Sequence, residues 1–344
     1  MRAYEAALVR IWPTAHSLGL GGVLGMAVMT LPGMRLDFWS ADDARARIKL
    51  HEAVLGDLPD NRLTRPARAD LLFGLGVLCT QTHDYAQAVG WSEKALRESE
   101  KLRRRADIAH CQFQLGRLYY TLGRPEEALN LFRRGLEVSP RYRGAHTWLG
   151  NALAALGRYD EALAAYQEAT DLYPQDAGPH VGVGHIYTQM GRLSDAAVAY
   201  QWATEAAPDD DFVWRCLGRA LHRLKRFGEA EAAYRRALEL SPDEPETCEL
   251  LGNLAASQSD YAQALAWYQR AAEKQADAPQ QARLRVGVGK VQQLMRQYGE
   301  AMESFRQALR ADPNFMPAHL ELGACLRKLG RQAEAAEPLQ TART

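Results

Sequence analysis

Residues Trp148–Pro174 read WLGNALAALGRYDEALAAYQEATDLYP. Two runs of helix-forming residues are joined at Leu156, Gly157 and Arg158, and a proline closes the second. Three other stretches align with this one without gaps: QLGRLYYTLGRPEEALNLFRRGLEVSP (Gln114–Pro140), GVGHIYTQMGRLSDAAVAYQWATEAAP (Gly182–Pro208) and CLGRALHRLKRFGEAEAAYRRALELSP (Cys216–Pro242). The marker glycines Gly116, Gly150, Gly184, Gly218 and Gly252 follow one another at 34 residues. Gly289 and Gly323 continue the series after an offset of 37, and Gly76 precedes it by 40, which makes eight units from about Ala69 onward. A fixed period of this length means one supersecondary unit stacked many times.

The chemistry of each unit follows from its register. A small residue stands twelve after the marker (Ala128, Ala162, Ala196, Ala230, Ala264, Ala301, Ala335), where it lets two helices approach closely. An aromatic comes four later (Phe132, Tyr166, Tyr200, Tyr234, Tyr268, Phe305) and shares its helical face. A second small residue follows, then a closing proline at 140, 174, 208, 242 and 313, which disfavours helix in the residue before it. Gly123, Gly157 and Gly191 mark turns between the two helices.

This pattern resembles the tetratricopeptide repeat family, over nearly all of the chain from Ala69. The resemblance implies an all-α solenoid of about eight helix-turn-helix repeats, a right-handed superhelix whose first helices line a concave surface that takes protein segments. Three units depart from the pattern and should be less regular. The first has Ser92 for the aromatic and no closing proline. The unit of Gly252 has Ala276 for the proline, with Pro279 late. The last has Leu339 for the aromatic and Pro338 inside its second helix.

By analogy with the family, the residue after each marker glycine faces the groove. Arg117, Asn151, His185, Arg219, Asn253 and Lys290 then form a polar and basic ladder, joined a turn later by Tyr120, Thr188 and His222. Arg215, Arg219 and Arg223 share one helical stripe. Asparagines suit a peptide backbone and arginines suit carboxylates, so the groove is expected to take a peptide or surface loop of acidic character. Ordinary solvated residues of an exposed helix face are the alternative. The carboxylate clamp that some members use for chaperone tails is disfavoured, because Phe113 and Arg117 stand where its first Lys/Asn pair belongs and Gly178 and Gly182 where its last Lys/Arg pair belongs.

Lys+Arg and Asp+Glu are both 42, so no global charge draws the chain to nucleic acid. Five dispersed cysteines with no CxxC form neither a zinc site nor a disulfide framework. No nucleotide-binding, metalloprotease or serine-hydrolase motif occurs, and VGVGKVQQ around Lys290 is explained by the repeat's own glycine. His146, His180 and His319 recur at one repeat position and read as partly buried helix residues. The expectation is a non-enzyme without metal or cofactor.

Ahead of the repeats, Ile11–Met34 is a run of 24 residues with no formal charge, flanked by Tyr4, Trp12, Phe38 and Trp39. About 20 apolar residues span a bilayer, and aromatics anchor the ends. A single transmembrane helix is expected, in which Ser17, Gly21 and Gly25 form a small-residue stripe for docking on a partner's membrane helix. A cleaved signal peptide and a helix buried against the repeats are the alternatives. The Lys and Arg that follow (Arg35, Arg45, Arg47, Lys49) favour a cytoplasmic repeat domain, and EKLRRR at 100–105 reads as a solvated charge run, with contact to anionic lipid as the alternative. The expected organisation is a membrane anchor over 1–40, a connecting helix and loop over 41–68, and the solenoid over 69–344. The last helix is expected to leave an edge that a partner covers.

The expected function is therefore a membrane-anchored interaction scaffold, a subunit or assembly factor of a membrane complex. A soluble or exported adaptor is the alternative.

Overall fold

A computed structural model describes residues 41–58, 60, 64–242, 244–275 and 277–341, and these hold seventeen α-helices and no strand. The expected membrane segment, with Ser17, Gly21 and Gly25, lies outside the described residues. Among those described, no helix is long and apolar enough to cross a membrane.

Contacts divide the chain into two compact units, Met1–Pro174 and Gln175–Thr344. The first contains α1 (Ala41–Asp57) and three helical hairpins: α2 (Arg65–Gln81) with α3 (Tyr85–Lys101), α4 (Arg105–Thr121) with α5 (Pro125–Val138), and α6 (Ala145–Ala155) with α7 (Tyr159–Leu172). The second contains five: α8 (Ala177–Gln189) with α9 (Leu193–Ala206), α10 (Asp211–Arg223) with α11 (Phe227–Leu240), α12 (Pro245–Ser257) with α13 (Tyr261–Lys274), α14 (Ala278–Leu294) with α15 (Tyr298–Ala311), and α16 (Met316–Lys328) with α17 (Gln332–Thr341). Within each unit every helix packs on the next. First helices of successive hairpins also touch, as α2 on α4, α4 on α6, and α10 on α12.

The marker glycine is explained by the ring opposite it. A β-carbon built on Gly116 would lie 2.5 Å from a ring carbon of Phe132, and one on Gly150 would lie 2.6 Å from Tyr166. Glycine weakens a helix interior by about 0.5–1 kcal/mol, yet only glycine admits the ring here. Phe132, Tyr166, Tyr234 and Phe305 are among the largest fully buried side chains, and the small residues Ala128, Ala162, Ala196, Ala230, Ala264 and Ala301 are wholly buried beside them.

All eight hairpin turns use a left-handed residue at one register. Glycine fills it at 123, 157, 191 and 330. His83, Lys225, Ser259 and Arg296 fill it with φ between 59° and 64°. The next N–H closes each turn on the carbonyl five residues back, as in Arg158 to Leu153 and Arg226 to Leu221, both 2.9 Å.

The departures from the repeat act where expected. Without a closing proline α3 runs 17 residues, and α14 reaches 17 after the three-residue insertion. Pro279 does not end a helix late. It sits in the first turn of α14, where its missing N–H costs nothing. Likewise Pro66 lies in the first turn of α2, which begins at Arg65. Pro338 lies within α17 and does not break it. Ala276 and the Leu339 side chain lie outside the described residues. The connecting helix forms as α1, held to α2 through Val54, Leu58 and Leu71, and by Arg68 donating to the Leu55 and Leu58 carbonyls at 3.2 and 2.6 Å.

Candidate peptide-binding cleft

In the first unit, α2, α4, α6 and the Tyr142–Arg143 turn enclose an open cleft of about 440 Å³. Its walls are aromatic. Phe73 and Phe113 each stand three residues before their marker glycine, and Val77 and Arg117 stand one turn further along the same faces. Trp148 enters from α6 and His110 from the start of α4. Tyr142 stacks on Phe113 at 4.1 Å between ring centroids and meets the edge of His110 at 5.0 Å. Phe73 meets the other side of His110 at 6.0 Å. Gly144, at φ 79°, turns the chain into α6 directly after this segment. Burial raises the Tyr142 phenol above its ordinary pKa, while Arg117 opposes that rise.

Two cations and no carboxylate line the cleft. The Arg117 guanidinium lies 5.1 Å from the Trp148 ring centroid, a cation–π contact. Neither Arg117 nor Arg143 forms an ion pair among the described residues, whereas Arg104, Arg124 and Arg158 of the same unit all do.

The ladder residues have different fates. Tyr120 packs edge-on against Trp148 at 5.7 Å, beside Arg117. Asn151 does not offer its oxygen outward, because the Tyr166 hydroxyl donates to it at 2.6 Å. Asn253 and Tyr268 repeat that bond at 2.6 Å. His185 packs against Tyr200 and Phe212, and Thr188 bonds back to its own helix at Gly184 (2.8 Å). His222 shares a 2.9 Å hydrogen bond with Ser257. Lys290 pairs with Glu321 at 3.3 Å.

The Arg215–Arg219 stripe is answered from within the chain. Arg215 is buried, with Asp211, Glu244 and Glu246 at 3.3, 3.5 and 2.9 Å. Arg219 bonds to the other oxygen of Glu246. Arg283 likewise holds Glu249 through two bonds, at 2.5 and 2.7 Å. Asp211 is one turn back on the same helix, but Glu244, Glu246 and Glu249 come from a neighbouring hairpin, a pairing that spacing along the sequence does not show.

The recurring histidines have a structural role. His146 and His319 each donate a ring N–H to the carbonyl of the proline six residues back, Pro140 and Pro313, at 3.0 and 2.8 Å. The Trp214 indole does the same to Pro208 at 2.9 Å. All five cysteines are buried thiols. Burial pushes Cys79, Cys111 and Cys216 up to about 11, so these three are poor nucleophiles at neutral pH. Among the described residues no cluster of three or more metal-ligating side chains occurs.

Helical hairpins repeated at 34 residues, with a glycine facing each buried ring and an aromatic cleft on the first-helix face, define a helical repeat protein of the interaction class. The chain belongs to the tetratricopeptide repeat family: the family's model matches residues 113–177, 184–245 and 289–344. Two further tetratricopeptide repeat models match 67–141 and 247–281. Proteins of this family generally act as protein–protein interaction adaptors. No curated protein matches the chain in sequence. Among solved structures it is similar to PilF of Pseudomonas aeruginosa, with TM-score 0.53 and 20% identity over 65% of this chain and 99% of that one. It is also similar to YrrB, described as a TPR protein with an unusual peptide-binding site, with TM-score 0.44 and 22% identity over 54% of this chain and 95% of that one.

Proposed function

We propose that this protein is a membrane-anchored interaction scaffold, a subunit or assembly factor of a membrane complex, which holds a protein segment on the first-helix face of its repeats. The observation that carries the scaffold reading is the aromatic cleft of the first unit, whose two arginines have no carboxylate partner among the described residues. A recess with aromatic side chains, polar neighbours and two fixed charges suits a side chain and its polar flanks. The membrane reading is supported by the uncharged run Ile11–Met34 and its aromatic flanks. In this reading the chain crosses the membrane once, its repeats face the cytoplasm, and Ser17, Gly21 and Gly25 pack on a partner's membrane helix.

The test is purification of the intact tagged chain from native membranes in mild detergent, beside a Gly21→Leu/Gly25→Leu variant and an Arg117→Glu/Arg143→Glu variant. Stoichiometric membrane partners that are lost in the first variant support docking through the membrane helix. Partners lost only in the second place recognition in the repeats. Recovery of the wild-type chain in the soluble fraction would replace the anchored scaffold with a free or exported adaptor.

A further inference from the structure

Aromatic walls and two arginines without a carboxylate partner among the described residues coincide at this cleft, and the second unit shows what the same register looks like when it is closed. His110 and Phe113 of α4 stand six and three residues before the marker glycine. In α12 those two positions are Glu246 and Glu249. There the carboxylates are spent on Arg215, Arg219 and Arg283. In the first unit the corresponding positions are rings, and Arg117 and Arg143 face the cleft without an acidic partner among the described residues. Arg117 is held in place by Trp148, so binding a carboxylate would cost it little further side-chain entropy.

We propose that the cleft between α2, α4 and α6 binds an extended protein segment that carries one aromatic side chain flanked by carboxylates. The ring enters against Phe73, His110 and Trp148, where edge-to-face and offset-stacked contacts are available, while Phe113 is buried beneath the Tyr142 ring. The flanking carboxylates pair with Arg117 and Arg143, as charge-assisted hydrogen bonds on the cleft rim. This rests on the scaffold reading above and specifies its partner. A basic segment is repelled by the two arginines, and a purely aliphatic one lacks the ring contacts.

The test uses the full chain in mild detergent and a fluorescein-labelled peptide with a central phenylalanine between two aspartates on each side. Fluorescence anisotropy is compared with peptides in which the phenylalanine is alanine, or the aspartates are lysine or serine. The expected result is saturable binding that weakens at least tenfold with each peptide change, and at least tenfold in Arg117→Glu and in Arg143→Glu. Both arginines lie on the surface, and circular dichroism checks that each variant folds. Raising salt from 50 to 300 mM should weaken binding in the wild type and have a smaller effect in the variants. Binding indifferent to the aspartates or to the two arginines overturns the proposal, as does failure of the aspartate peptide to bind. Were the intact protein still to capture a partner from membranes in that case, the scaffold reading would stand and only the chemistry assigned to this cleft would fall.

Discussion

The Tyr166 hydroxyl donates a 2.6 Å hydrogen bond to the side-chain oxygen of Asn151, across the two helices of one hairpin. The ring fills the space that Gly150 leaves, and the asparagine directly after that glycine receives the hydroxyl. Burial holds the phenol well above its ordinary pKa, so it stays a donor. Tyr268 and Asn253 form the same unit. Where the aromatic is phenylalanine, as at Phe132 and Phe305, the residue after the glycine is Arg117 or Lys290, with no hydroxyl to satisfy. Tyr234 breaks the rule. Its ladder residue Arg219 is engaged by Glu246, and the Tyr234 hydroxyl is buried without a partner. Tyr166→Phe should therefore cost about 1 kcal/mol, while Tyr234→Phe should be neutral or stabilising. Asn151→Leu should cost more than Tyr166→Phe, and the double variant should recover part of the loss. Urea unfolding of the four variants measures this.

The marker glycines differ in how tightly the ring sits. A β-carbon on Gly150 would come within 2.6 Å of Tyr166, but one on Gly252 would stay 3.2 Å from Tyr268. Gly150→Ala should lose about 1–3 kcal/mol to overpacking. Gly252→Ala should lie near zero, because helix propensity returns about 0.5–1 kcal/mol. Hydrogen exchange on α6 and α7 against α12 and α13 would resolve the two effects locally.

At the hairpin turns, Lys225 and Arg296 hold left-handed backbone at φ 61° and 62°, where four other hairpins use glycine. Lys225→Gly and Arg296→Gly should each raise stability by up to about 1 kcal/mol, because the β-carbon penalty outweighs glycine's extra chain entropy. Gly191→Ala, at φ 73°, should do the reverse. Melting temperatures of the three variants give the signs.

Arg215 is buried among Asp211, Glu244 and Glu246. Arg215→Leu should destabilise the second unit by about 1–3 kcal/mol, since Asp211 and Glu244 lose their cation while Glu246 keeps Arg219. Glu246→Gln should restore some of that loss. If Arg215→Leu left the melting temperature unchanged, the network would be of no structural weight.

His180, His185 and His222 all have pKa values below the ordinary 6.5, each chiefly through burial. For His185 the neighbouring Arg219 adds to the effect. For His180, Asp176 and Glu205 oppose it. The unfolded chain then binds protons more readily than the folded one, so stability rises with pH through this range. The contribution is complete above about pH 7 and declines as pH falls below 6.5. The melting temperature should drop between pH 7 and 5.5, and a variant with glutamine at all three positions should show a flatter profile.

The fold was legible because one period and one steric rule carry it. Glycine opposite a ring, alanine at the crossing and proline at the end recur in register, and each acts within its own hairpin. The cleft was only half legible. Arg117 follows from the ladder, and Phe73 and Phe113 could have been found by extending the same face one turn back. Tyr142 and Arg143 could not, because they lie in the turn before α6, outside the aligned repeat, and reach the cleft only through the left-handed step at Gly144.

The sequence by itself determined the hairpins, their number and the residues that must be small, since these depend on contacts between neighbours in one repeat. The tertiary structure decided which charges remain available. Arg215 and Arg219 share a helix face with residues elsewhere on the ladder, but the Glu246 carboxylate of α12 comes within 3 Å of Arg215, also bonds Arg219, and closes that face. In the first unit rings occupy those positions instead. The strength of a charge depends on what the fold brings within a few ångströms of it, and spacing along one strand of sequence does not contain that information.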